Sequence, residues 1–117
     1  MIKKRLVAFK YAWNGLLEAF KDNLPLRIHF IATLAVVVLG TILSVSVLEW
    51  FVLLFVITLV IVAELFNTSI ERLCDTLHPE RSEGIRLVKD ISAGAVLATV
   101  ILAVVIGAII FIPYIYK

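Results

Sequence analysis

From Trp50 to Ala63 the chain carries no charge and only one polar side chain, Thr58, and it then runs unbroken into Glu64, Asn67, Glu71 and Asp75. At about 100° per residue these four share one face of a helix. At 1.5 Å per residue the apolar run covers about 21 Å of a roughly 30 Å hydrocarbon layer. With Trp50 at one interface, Glu64 lies inside the opposite half of the membrane, while Glu71, at about 31 Å, and Asp75 emerge at its surface. A carboxylate at membrane depth costs about 3 kcal/mol, so Glu64 is read as a functional residue. The plainer reading, a solvated helix end that starts early, accounts for Asp75 and accounts poorly for Glu64.

Composition fits that placement. Of 117 residues, 62% are hydrophobic, against roughly 45–50% in a soluble domain, and the mean hydropathy is +1.09. An all-α integral membrane protein follows. Phe30 to Leu48, Trp50 to Phe66 and Ile91 to Ile112 can each span, being near or above the lower limit of about 17 residues. The expected organisation is one membrane domain over 1–117: a surface helix at 5–22, span one at 26–47, span two at 49–77 extending into the cytoplasm, and span three at 86–113.

Lys3, Lys4, Arg5, Lys10, Lys21 and Arg27 precede the first span, and Arg72, Arg81, Arg86 and Lys89 lie between the second and third. The turn between spans one and two carries no Lys or Arg. The positive-inside rule therefore puts the N-terminus and the acid ladder on the cytoplasmic side of the membrane. A net charge of +2 gives no reason to expect a nucleic-acid partner. The amphipathic, charged N-terminal segment does not read as a cleavable signal peptide. Cys74, the one cysteine, excludes an internal disulfide and reads as a small helix residue.

Leu6, Phe9, Trp13, Leu16, Leu17 and Phe20 fall on one face of a helix, beside a polar sector of Lys10, Asn14, Glu18 and Lys21. Such a helix lies in the membrane interface, and its lysines suit anionic lipid or a phosphate ligand equally. Asp22-Asn23-Leu24-Pro25 breaks it, because Pro25 disfavours helix at Leu24 and suits the first turn of the next helix. Arg27 and His29 sit at the cytoplasmic end of span one, and His29 is given no catalytic role. Spans one and two form a tight hairpin. The polar stretch Thr76 to Gly84, with Pro79, ends span two near His78. Ser92, Ala93, Gly94, Ala95 and Ala98 then allow the start of span three to pack closely on another helix.

All these acids and bases lie at or just inside one interface, where a soluble ligand can meet a lipid headgroup. No Gly-x-x-x-x-Gly-Lys-Ser/Thr loop exists. Nucleotide phosphates would then be held by a metal bridged to carboxylates and by Lys or Arg. Acids on span two, Lys89 and the surface-helix lysines supply those groups.

The pattern Ala63-Glu64-Leu65-Phe66-Asn67-Thr68-Ser69-Ile70-Glu71-x-x-x-Asp75, followed by Lys89-Asp90-x-x-Ala93-Gly94-Ala95-Val96-Leu97, resembles the small prokaryotic diacylglycerol kinase family, whose relatives include undecaprenol kinases. Tyr11-x-Trp13-x-Gly15-Leu16 and Arg27-Ile28-His29 extend the likeness over nearly the whole chain. The resemblance implies a homotrimer in a bacterial cytoplasmic membrane, with ATP as co-substrate, Mg2+ as cofactor and active sites shared between subunits. It further implies Glu64 as the base for the lipid hydroxyl, Glu71 as a magnesium ligand, and Asn67 and Asp75 in the same site. Lys89, Asp90, Glu80, Lys4 and Tyr11 match ATP-contacting positions, and Trp13 and Ala93 match lipid-contacting ones.

One position departs from the family pattern. A second metal-binding Glu is expected six residues before His29, where this chain has Asn23, a weaker neutral ligand; the adjacent Asp22 is the candidate substitute. On this alignment Asn23→Glu leaves activity unchanged or raises it. Two further readings remain. A small transporter subunit would need polar residues to continue across the bilayer, yet span three offers only Thr99 beyond its first turns. An inert scaffold derived from the kinase is motivated by Asn23. The lipid is either a diacylglycerol or a polyprenol, and Phe66-Asn67-Thr68 and Arg27-Ile28-His29 look closer to the undecaprenol-kinase side.

Overall fold

In the computed structural model, which describes residues 1–117, four helices follow one another: α1 (Ile2–Lys21), α2 (Leu24–Leu43), α3 (Val47–Leu77) and α4 (Glu83–Ile115). There is no strand. The last three are each long and apolar enough to cross a membrane. At 1.5 Å per residue, α3 is about 46 Å long and so outruns a roughly 30 Å hydrocarbon layer.

No residue of α1 is buried, and its attachment is made at its C-terminal end. The last carbonyls of a helix lack intrahelical partners and carry partial negative charge. Arg27 meets both needs: Nε donates to the Phe20 carbonyl at 3.1 Å and Nη2 donates to that of Lys21. Its guanidinium also lies 5.7 Å from the Phe20 ring centroid, and Phe20 meets Phe30 edge-on at 5.3 Å. Arg72 adds a longer bond to the Glu18 carbonyl, 3.4 Å. The helix starts at Ile2, earlier than the expected residue 5, since Lys3 and Lys4 are good helix formers.

Asn23 caps α2, with Oδ1 accepting from the Leu26 N–H at 3.0 Å and Pro25 in the first turn. This helix ends at Leu43, short of the expected residue 47. Ser44 turns left-handed (φ 54°) and its N–H reaches back to the Gly40 and Thr41 carbonyls. Ser46 can then cap α3, accepting from the Glu49 N–H at 3.2 Å while Glu49 Oε1 accepts from the Ser46 N–H at 2.9 Å. That reciprocal box starts α3 at Val47, ahead of the expected residue 49.

The hairpin between α2 and α3 closes where the Trp50 ring lies against Gly40. A Cβ on Gly40 would sit 2.7 Å from that ring, whereas one on Gly15 would meet nothing within 4 Å. Gly40→Ala is therefore expected to cost about 1–3 kcal/mol through overpacking, and Gly15→Ala to cost nothing. Thermal unfolding of the two variants in one detergent checks this.

Beside the hairpin, Val45, Leu53, Ile110 and Phe111 form an apolar core against Val36, Leu43, Trp50, Ile106 and Tyr114. Tyr114 donates to Glu49 Oε1 at 2.5 Å, tying the end of α4 to the start of α3. At the other end, Ser82 caps α4 by accepting from the Ile85 N–H at 3.2 Å, so the helix begins at Glu83 and not at the expected residue 86. It runs two residues past the expected end at 113. α3 and α4 pack together along their lengths and α2 leans on α3. Ser92 and Val96 are buried on α4, where close approach of span three was expected.

Candidate active site

The elbow between α1 and α2 faces the polar half of α3 and the first turns of α4. A cleft of about 410 Å³ opens there, lined by Asp22, Asn23, Pro25, Glu64, Asn67, Thr68, Glu71, Arg72, Asp75, Ala93 and Val96. Glu64 is 4% exposed, Asn67 7% and Asn23 8%, so its floor is a buried polar cluster. Such groups are tolerated only when hydrogen-bonded or held for use.

Most are paired. Asn23 Nδ2 donates to Thr68 Oγ1 at 2.5 Å, and Thr68 Oγ1 donates to the Glu64 carbonyl at 2.9 Å. The elbow is thus fastened to α3 one turn from Glu64. Asn67 Nδ2 donates to Glu71 Oε1 at 3.2 Å, but Asn67 Oδ1 is buried with no partner. An acceptor left in that state costs about 1–3 kcal/mol, and it is free for a cation or donor. His29 Nε2 lies 3.7 Å from Glu64 Oε2 across the α2–α3 contact.

A second polar cleft of about 520 Å³ lies over the α3–α4 connection, lined by Asp75, His78, Pro79, Glu80, Arg81, Ser82, Glu83, Ile85, Arg86 and Lys89. Asp75 borders both clefts. Lys89 Nζ reaches Asp75 Oδ1 at 2.5 Å, joining α4 to α3 there. Asp90 pairs with Arg86 at 2.7 Å, and Arg86 also holds Glu83 at 2.9 Å. Charge in the second cleft is therefore ordered by three ion pairs along one edge.

Of the residues singled out in the sequence, Glu64, Glu71, Asn67, Asp75, Asp22, Asn23 and Ala93 share the first cleft, and Glu80 and Lys89 share the second. Asp90 stands beside the second through Arg86. Lys4, Tyr11 and Trp13 line neither, because α1 is fastened only at its C-terminal end. Sequence reasoning passed over His29 as an interfacial residue. Its partner Glu64 is on another helix, and no spacing within one segment signals that contact.

The donor set fits magnesium in one respect and departs from expectation in another. No three acids, histidines or cysteines converge into a metal cage. Magnesium is commonly held by one or two carboxylates together with substrate phosphates and water, and the all-oxygen set of Glu71 and the unpaired Asn67 Oδ1 suits that arrangement. Asn23 contributes less than expected there, since its oxygen already accepts from the Leu26 N–H. Asp22, exposed at the cleft edge, carries the only charge at the elbow side of it.

The family model described as prokaryotic diacylglycerol kinase matches residues 10–111. The chain is 36% identical over 109 residues to the diacylglycerol kinase of Synechocystis sp. (strain ATCC 27184 / PCC 6803 / Kazusa), covering 92% of this chain and 62% of that protein. It therefore spans less than two thirds of that relative's length. It is 29% identical over 106 residues to the undecaprenol kinase of Bacillus subtilis (strain 168), covering 91% of this chain and 86% of the relative. With the diacylglycerol kinase of Escherichia coli (strain K12) it shares 31% identity over 100 residues, covering 86% of this chain and 82% of that one.

Proposed function

The chain belongs to the prokaryotic diacylglycerol kinase family, and on that premise we propose that it transfers the γ-phosphate of ATP to the primary hydroxyl of a membrane lipid. The observation that carries this reading is the buried Glu64 carboxylate, in one cleft with Glu71 and Asn67 and with the Asp75–Lys89 pair at its cytoplasmic edge. Glu64 takes the proton as the hydroxyl oxygen bonds to the γ-phosphorus. The bond from that phosphorus to the β-phosphate bridging oxygen breaks, and ADP leaves with its electron pair. Phosphoryl transfer depends mainly on alignment and charge neutralisation, and a base within reach of the hydroxyl supplies the rest.

Glu71 and Asn67 Oδ1 would hold Mg2+, with Asp22 at the cleft edge. Bound there, the ion neutralises charge on the transferred phosphate. Glu80, Lys89 and Asp90 are assigned to the nucleotide. Lys4 and Tyr11 are assigned to the same nucleotide in a neighbouring copy of a homotrimer, which accords with their distance from both clefts within one chain. Trp13 and Ala93 are assigned to the lipid. The site opens to the cytoplasm, in keeping with the basic residues around it.

The acceptor is a diacylglycerol or undecaprenol, which share the interfacial primary hydroxyl. Transfer from γ-labelled ATP, with both lipids offered in detergent, identifies it: phosphate is expected on one or both with magnesium and on neither with EDTA. Folded protein that labels neither lipid would overturn the reading in favour of an inert scaffold.

A further inference from the structure

The geometry points to His29 as the positioning residue of Glu64, an inference that rests on the kinase reading. The imidazole Nε2 lies 3.7 Å from Glu64 Oε2, and no other ion-pair partner reaches that carboxylate. Both side chains are withdrawn from solvent, at 19% and 5% accessibility.

Two contacts set this pair in register. Asn23 of the elbow meets Thr68, and six residues along α2 His29 meets Glu64, one turn back along α3. Antiparallel helices advance past one another in this way, so the Asn23–Thr68 bond fixes where His29 stands. His29 also borders an apolar groove with Ala32, Val36, Val60 and Val104.

A glutamate side chain has three rotatable bonds and loses considerable freedom when it is ordered. Left alone in a cleft, Glu64 would sample several rotamers, of which few direct an oxygen to an incoming hydroxyl. Anchoring Oε2 at His29 leaves Oε1 to take the proton. At 3.7 Å the contact is longer than a hydrogen bond, so the imidazole restrains Oε2 by lying against it, and by charge only when the ring is protonated. Displacing a catalytic group by about 1 Å can cost on the order of 10²-fold in rate.

The test compares His29→Gln with His29→Asn in the full-length protein, with His29→Leu as the apolar variant. The Gln amide extends to about the place of Nε2, whereas the shorter Asn amide does not. Asn and Leu are expected to lower kcat by about 10–100-fold with KM for ATP unchanged, and Gln to recover most of that loss. The inference is overturned if Asn and Gln behave alike, if all three keep wild-type kcat, or if the loss is in KM for ATP. A second measurement does not depend on turnover. The infrared carboxylate band of Glu64, assigned by subtracting the Glu64→Gln spectrum, should shift in His29→Asn and less in His29→Gln. An unmoved band overturns the pairing even if no lipid is phosphorylated, whereas absent transfer with a shifted band overturns the kinase reading alone.

Discussion

Glu64→Gln is expected to reduce phosphate transfer by about 10²–10⁴-fold, the usual contribution of a general base, without loosening the fold. The substitution keeps side-chain length and shape in a site only 4% exposed. It removes the negative charge and with it the ability to take a proton. An ionised carboxylate at membrane depth carries an insertion cost of about 3 kcal/mol that a neutral amide lowers. Thermal unfolding of Glu64→Gln should therefore match the wild type or exceed it. Lost transfer with retained or raised stability is the signature of a group kept for chemistry. Transfer at the wild-type rate would remove Glu64 as the base, and lost transfer with early unfolding would make it a structural residue.

The parts of this arrangement that were legible in the sequence are those carried by one helix. Glu64, Asn67, Glu71 and Asp75 share a face because of helical period alone, and three spans follow from hydropathy. Features made by two segments were not legible. Asn23 reads as a weak metal ligand in isolation, but in the structure its oxygen caps α2 and its amide binds Thr68 on α3. Lys89 reads in the sequence as an ATP-contacting position alone, and the α3–α4 packing pairs it with Asp75. His29 acquires a role only through Glu64. Helix ends were legible in principle: Ser46-Val47-Leu48-Glu49 has the Ser-x-x-Glu form of a capping box. Ser44 was not, since nothing in a serine announces a left-handed turn.

The two ends of the bundle use polar groups in opposite ways. At the Trp50 end, Glu49 has all its partners inside the chain, from Ser46 and Tyr114, and the surrounding residues are packed apolar side chains. At the other end, Asn67 keeps an unpaired oxygen and Glu64 has one partner at ion-pair distance. Incomplete satisfaction of buried polar groups lowers stability, so it belongs where a ligand can complete it. The closed end holds α3 and α4 together while the open end keeps an acceptor unpaired, which is where the proposed function puts nucleotide and lipid.

Glu71→Gln distinguishes the metal role from the base role on that open face. Glu71 stands one turn beyond Asn67, whose Nδ2 donates to its Oε1 at 3.2 Å. Gln retains an oxygen to accept that bond, so Asn67 keeps its position and only the negative charge is lost. If Glu71 and Asn67 Oδ1 together hold magnesium, removing the one charge weakens the ion without displacing the lipid hydroxyl. The half-saturating magnesium concentration should rise by roughly 10–100-fold, the scale of loss when a metal site is impaired, and high magnesium should restore part of the transfer. Glu64→Gln should stay inactive at every magnesium concentration, because a missing proton acceptor is not replaced by more cation. A magnesium titration of Glu71→Gln that superimposes on the wild type would exclude Glu71 from the metal site. A loss that magnesium does not relieve would place Glu71 with Glu64 in the proton-transfer step.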